Sequence, residues 1–163
     1  MDVPNIVQWM YDTSLATGIR ESFWFPGIET FHVLAIVNVV GSIMIVDLRL
    51  LNIASRNRPV RELMSEVLPW TWISFALAVG SGFLLFISRA INYYPSWPFR
   101  IKMMLLVLAG ANMMFFHLIT FRDVHLWDSE MKTPVAARFA GGISLVIWIA
   151  VIACGRIVGW TAS

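Results

Sequence analysis

Residues 28 to 53 read IETFHVLAIVNVVGSIMIVDLRLLNI, and from Thr30 through Val46 they contain no Asp, Glu, Lys or Arg. A helix over this stretch is about 39 Å long at 1.5 Å per residue, enough to cross the roughly 30 Å hydrocarbon core of a bilayer. Three further runs, roughly 68 to 90, 99 to 121 and 135 to 160, have the same character. All four are apolar all round instead of alternating, which selects helices over the strands of a closed barrel, the other way to satisfy backbone groups in lipid.

The composition agrees. With 163 residues, 58% of them hydrophobic and 13% charged, and a mean hydropathy of +0.72, the chain carries more apolar surface than one small soluble core can bury. The lipid bilayer is therefore its first partner. The net charge of +2 and pI near 9.0 come from cations scattered between the apolar runs, a distribution that argues against nucleic acid as a partner. Cys154 is the only cysteine, which excludes an intramolecular disulfide, a CxxC pair and a CxxCH haem attachment. The sequence has no nucleophile-base-orienter set, no Gly-rich phosphate loop and no HExxH, so no residue is assigned a catalytic role and electron transfer is the most that is expected of it.

Helix-stopping chemistry separates the spans: Arg56-Asn57-Arg58-Pro59, then Asn92 to Pro98 with its two prolines, then Asp128-Ser129-Glu130 leading to Pro134. Such short connections predict an all-α integral membrane protein, an antiparallel four-transmembrane-helix bundle forming a single domain over 1–163. Upstream, Val3, Ile6, Val7, Met10 and Ser14 share one helical face, while Asp2, Asn5, Gln8 and Asp12 share another. This pattern predicts an amphipathic interfacial helix over about 3–17, with Trp9, Tyr11 and Trp24 at headgroup level. The first 27 residues lack the continuous apolar stretch and cleavage site of a signal peptide, so this segment is expected to stay on the mature protein.

Orientation follows from the cations. The first and third connections with their flanks carry Arg49, Arg56, Arg58, Arg61, Arg122, Lys132 and Arg138, against Arg20, Arg89, Arg100, Lys102 and Arg156 on the other side, seven against five. The positive-inside rule then puts both termini outside, in the periplasm of a bacterium.

Ionisable groups within spans are expensive unless paired or hydrated, which makes them pointers to function. On the first span Glu29, His32, Ile36, Val40, Ile43 and Asp47 share one stripe; on the fourth, Arg138, Leu145, Ile149, Ile152 and Arg156 do. The four-span topology gathers Glu29, His32, Arg100, Lys102 and Arg156 in an outer layer and Asp47, Arg49, His117, Arg122 and Arg138 in an inner one. The bland reading of these cations is snorkelling at helix ends. His32 and His117 sit deeper, and either is a candidate haem or metal ligand or else a hydrogen-bonded packing histidine.

Helix geometry restricts the haem idea. His32 lies roughly 6 Å below the outer end and His117 roughly 27 Å below it, so the two cannot clamp one iron, and His125 is about 12 Å further along from His117. What remains is a b-type haem with one histidine ligand, a haem shared between subunits, or none. Its propionates would pair with Arg100, Lys102 and Arg156 at the outer site, or with Arg49 and Arg138 at the inner. Met44, Met103, Met104, Met113 and Met114 add thioethers that with imidazole suit Cu(I), although methionine is also a common gap-filler. Packing roles are assigned to Ser74, Ala78, Ser81 and Ser88 on the second span, to Gly141 and Gly142 on the fourth, and to Gly110 and Asn112 on the third, Asn112 through an interhelical hydrogen bond.

The segments Glu21 to Pro26, Glu29 to His32, Val46 to Leu51, Leu68 to Trp72, Phe99 to Lys102, Ala109 to Asn112, Phe116-His117 and Gly155-Arg156 resemble an uncharacterised family of small bacterial inner-membrane proteins. That resemblance implies a four-helix protein of the bacterial inner membrane and supplies no active site. More loosely, a histidine near a helix start followed by Val39-Val40-Gly41 looks like the copper-resistance D proteins and the membrane b-type cytochromes. The leading expectation is a redox-associated membrane protein that binds haem b and transfers electrons within a larger complex. The alternatives are a non-catalytic accessory or scaffold subunit, in a homo-oligomer or larger assembly, and a copper or small-solute permease.

Overall fold

The computed structural model describes residues 3–128 and 133–161, with the side chains of Asp123, His125 and Leu126 outside that set. The roles expected of Asp2, Ser129, Glu130 and Lys132, and of the His125 side chain, thus fall outside the described residues. Among the described residues eight α-helices follow one another: α1 Asn5–Tyr11, α2 Ser14–Arg20, α3 Trp24–Leu50, α4 Val60–Ser88, α5 Ala90–Tyr93, α6 Trp97–Phe115, α7 Val124–Trp127 and α8 Val135–Thr161. Four helical stretches are long and apolar enough to cross a membrane: α3, α4, Trp97–Thr120 and α8. The chain is an all-α membrane bundle in which the long helices alternate in direction. The side of Trp24, Ser88 and Trp97 is called upper here, and the side of Leu50, Val60 and Val135 lower.

Each span keeps its expected place, but two begin early. α4 starts at Val60 because Pro59 fixes the entry backbone (φ −56°) and Glu62 occupies the first turn, so its lower turns are helical without being apolar. Those turns carry exposed charges: Arg58 reaches Glu66 at 2.7 Å and Glu62 at 3.3 Å, and the two carboxylates hold its guanidinium above its ordinary pKa. α3 starts at Trp24, with Pro26 in the first turn where its missing N–H is not needed.

Two short helices replace the single interfacial helix expected over 3–17. The break falls at Asp12-Thr13, where the Thr13 hydroxyl caps the second helix by accepting from Ala16 N at 3.2 Å. Val7, Ala16 and Ile19 turn inward, while Ile6, Trp9 and Leu15 stay more than half exposed. Arg20 ties the pair to the bundle. Its guanidinium lies 4.0 Å from the Tyr11 ring and donates to Tyr11 O and Ser88 O, each at 3.3 Å. The Ser88 carbonyl belongs to the last turn of α4, where a cation is favoured. Arg20→Ala is expected to lower stability by about 1–2 kcal/mol and to raise amide exchange across 5–20 while leaving α6 and α8 protected, as hydrogen–deuterium exchange would record.

α3 packs along α4, α6 along α8, and α3 against α8. On the upper side, α4 and α6 are joined by a ring stack, Phe86 on Phe99 at 5.3 Å with Tyr93 on Phe99 at 6.0 Å. The serine stripe of α4 sits where its spacing put it, with Ser74, Ser81 and Ser88 buried against α3 or the end of the helix. Ser74 accepts a hydrogen bond from Asn38 of α3. Asn112 donates to Ala140 O of α8 at 3.0 Å, the interhelical bond expected of it. Gly110 differs from expectation: a Cβ there would meet nothing within 4 Å, so the glycine borders open space and is not a packing contact.

The lower side is closed by Leu50, Val60, Met64, Phe116, Val124, Trp127, Ala137 and Ala140, which form one apolar cluster. Over it lies a polar knot. α3 ends with Asn52 at φ 58°, a left-handed residue that lets Ile53 N reach Leu48 O at 2.9 Å and Asn52 N reach Arg49 O at 3.0 Å. Arg49, 1% exposed, donates to Arg58 O at 2.8 Å, Thr133 Oγ1 at 3.2 Å and Asn52 Oδ1 at 3.3 Å. Asp128 Oδ1 accepts from Arg61 N at 3.1 Å and satisfies a first-turn donor of α4.

Candidate functional site

Below the Phe86–Phe99 stack, α4 and α6 are separated by a cavity of about 470 Å³. Its walls are mostly apolar: Val39, Ile43 and Val46 of α3, Met64, Leu68, Trp72 and Phe75 of α4, Leu106, Met113 and Phe116 near α6, Trp148 of α8. Gly110 widens it. Polar residues also line it: Ser42, Asp47, Thr71, Asn112, His117 and Ser144.

Asp47 is 5% exposed, and its Oδ2 has no hydrogen-bond partner among the described residues. It lies where α3 and α8 come closest, since a Cβ at Gly141 would stand 3.2 Å from Asp47 O and 3.2 Å from Leu50 Cβ. An alanine there would need its neighbours to give by a few tenths of an ångström. Ser144, one turn further along α8, supports the carboxyl group as a hydrogen-bonding neighbour. A carboxyl group at this depth costs several kcal/mol unless something compensates it, which sets Asp47 apart from ordinary packing residues.

His117 is positioned by an irregularity of the backbone. Phe116–Thr120 form a π-helical turn, followed by a tighter 3₁₀ turn over Phe121–Asp123. Widened turns of this kind recur at functional sites because they re-aim one side chain. The His117 Nδ1 lies 3.0 Å from Met113 O, and a carbonyl can only accept, so the proton is on Nδ1. With Nδ1 committed to that carbonyl, Nε2 is the ring nitrogen left to face another partner, the arrangement in which histidine also ligates metals. Phe116 and Phe121 hold the ring from two sides, with centroids at 5.5 and 5.6 Å.

The other histidine is differently placed. His32 packs into the α3–α4 seam: its Cε1 stands 2.8 Å from where a Cβ of Gly82 would be, and its Nδ1 is 2.9 Å from Ser81 Oγ. Ser81 gives its own proton to Leu77 O at 2.6 Å, so the imidazole is the donor in that pair. Lys102 is near enough to His32 to be felt electrostatically, and its Nζ lies 3.6 Å from the Cβ position of Gly155.

The remaining residues of the expected layers disperse. Glu29 and Arg156 are exposed on the upper side, and Arg138 and Arg122 on the lower. Arg100 donates to Tyr94 O at 3.0 Å and lies over the Tyr94 and Trp97 rings. Arg49 spends its donors on the connections. Of the inner layer, then, Asp47 and His117 share the cavity, and the arginines do not line it. Among the described residues no three His, Cys, Asp or Glu side chains come together as a metal site. Sequence reasoning put Asp47 on the right stripe without singling it out, and the signal was there: a carboxylate inside the last turn of a span, with no basic residue one turn before it.

A family model described as a family of unknown function (DUF6644) matches residues 14–161, and the chain belongs to that family. Comparison with curated proteins and with solved structures found no match.

Proposed function

We propose that this member of the DUF6644 family is a small redox-associated membrane subunit that holds a lipophilic redox group in the cavity between α4 and α6 and passes electrons within a larger complex. The observation that carries this reading is one apolar cavity whose wall holds both a buried carboxyl group, Asp47, and a histidine, His117, whose Nδ1 proton is given to a backbone carbonyl. The seven-against-five distribution of cations supports placing the lower side in the bacterial cytoplasm and both termini in the periplasm.

A b-type haem in this cavity would take His117 as its one protein ligand, since the His32 ring is spent on Ser81 and walled by Gly82. Iron would supply one-electron chemistry there. The donor set fits such a group in part: the imidazole is held correctly, but the propionates would meet no lysine or arginine along the lining and would face Asp47 instead. A neutral lipophile suits the walls better.

Absorption spectra of detergent-purified protein with and without dithionite, elemental analysis, and mass spectrometry of a solvent extract test the reading together. The expectation is a stoichiometric redox group, lost in His117→Ala and kept in His32→Ala. Absence of a Soret band, of bound metal and of any redox-active lipid would overturn it. The accessory-subunit reading would then stand, favoured by the way Arg20, Arg49 and Asn112 are all spent on holding segments in register.

A further inference from the structure

We infer that two copies of this chain associate in the membrane along the outward face of α3, with their Asn38 side chains hydrogen-bonded to each other across a two-fold axis. This face lies apart from the cavity, whose lining does not include Asn38.

α3 packs along α4 and against α8, and the side turned away from both is open. On that side Phe31, Leu34, Asn38, Gly41 and Ile45 follow one another at alternating steps of three and four residues, so they form one stripe, and all five are exposed. Four of the five suit lipid. Asn38 does not. It lies near the middle of α3, about 20 Å from either end, far from water and headgroups. Its Nδ2 donates to Ser74 Oγ of α4, and among the described residues no donor meets its Oδ1 and no acceptor takes its second N–H. Turning the amide over changes which end Ser74 holds and still leaves the other unspent. An amide end left bare in hydrocarbon is strongly unfavourable, so it marks a place where another polar group arrives.

Gly41 adds an independent sign. It stands one turn from Asn38 on the same stripe, and a Cβ there would meet nothing within 4 Å. No contact inside the chain requires its bareness, whereas a second helix approaching closely would.

The occupant that fits both is a second copy. An amide carries donor and acceptor together, so across a two-fold axis each Oδ1 takes the other's free N–H, and one residue satisfies itself twice. Steps of three and four residues also make the seam of two helices packed at a shallow angle. A lipid chain offers neither donor nor acceptor, and its headgroup lies half a bilayer away. A helix of another protein would need a polar residue at the same depth, which a second copy brings by symmetry.

The experiment is disulfide trapping of full-length protein in phosphatidylcholine–phosphatidylglycerol vesicles over a series of lipid dilutions, in a Cys154→Ser background that removes the native thiol. Leu34→Cys, on the stripe, should give a covalent dimer on mild oxidation. Val33→Cys, exposed on α3 but well round the helix from Asn38, should give little. Asn38→Leu, added to the Leu34→Cys protein, should weaken association about tenfold, read as a shift of the dilution midpoint, and Gly41→Leu should weaken it as well. Ser74→Ala also breaks the α3–α4 hydrogen bond but leaves the Asn38 amide in place, so it should not weaken association. That arm separates loss of pairing from loss of the bond within the chain. No trapping, equal trapping at positions 33 and 34, a midpoint indifferent to Asn38→Leu, or equal weakening by Asn38→Leu and Ser74→Ala overturns the inference. A protein that is monomeric in vesicles and is trapped only onto a different protein in cell membranes overturns it too.

Discussion

Arg49→Ala is expected to destabilise the protein by about 3 kcal/mol, because it removes hydrogen bonds from a charged, buried donor to three acceptors, one buried and two partly buried. The acceptors are Arg58 O, Asn52 Oδ1 and Thr133 Oγ1, and together they join the α3–α4 connection to the segment entering α8. Thr133 also donates to Asn52 Oδ1 at 2.9 Å, so the loss leaves a reduced knot and not an empty one. Differential scanning fluorimetry in detergent should register a Tm lower by roughly 10 °C. Arg49→Lys should recover only part of this, since an ammonium cannot present the planar fork that reaches backbone and side-chain acceptors at once. A wild-type Tm for the alanine variant would mean that the connections are held by the apolar cluster beneath them and that Arg49 is free for another role, such as pairing with a propionate.

The second large effect concerns Gly141. A Cβ at this position already sits 3.2 Å from Asp47 O and from Leu50 Cβ, and backbone cannot give way as a flexible side chain can. Gly141→Leu should therefore push α8 off α3 and cost about 2–3 kcal/mol, with Gly141→Ala costing less. Because Asp47 lies at the same crossing, the leucine variant should also lose ligand binding, which separates it from Arg49→Ala, where the cavity walls are untouched. Gly142 is the control. It has only Leu51 Cδ2 at 3.8 Å, and alanine there should be nearly neutral.

The four spans were legible because hydropathy over about twenty residues is a property of the sequence alone. What hydropathy cannot register is helix that leaves the apolar zone, which is why α4 reaches down to Val60 through Glu66 and Glu62, and α3 up to Trp24. The small-residue stripe of α4 and the Asn112 bond were likewise readable, since helical spacing fixes which residues share a face. The break at Thr13 was not, because the sequence shows an amphipathic period on both sides of it.

The candidate site was legible only in its parts. Counting 1.5 Å per residue correctly kept His32 and His117 apart, and put Asp47 and His117 at one depth. It could not reveal that α4 and α6 separate below their aromatic stack, or that a π-turn sets the His117 ring. Arg49 looked like an available cation because the folded chain sets its partners: Thr133 is 84 residues away, and Asn52, three residues on, depends on a left-handed backbone conformation. Arg20 was counted only among the cations of one side, its partner Ser88 O being 68 residues away.

The central claim is that a redox-active lipophile occupies the cavity, and Gly110 gives the most direct way to test it. Gly110 lines the cavity, and a Cβ there meets nothing within 4 Å, so Gly110→Phe should enter the space from a position whose first side-chain carbon is unhindered. The measurement is the amount of redox-active lipid or haem per protein, quantified from solvent extracts and dithionite difference spectra of wild type and variant at matched Tm. The expected result is a near-stoichiometric redox group in the wild type and a loss of most of it in Gly110→Phe. Equal content in the two proteins, or none in either, would contradict the claim.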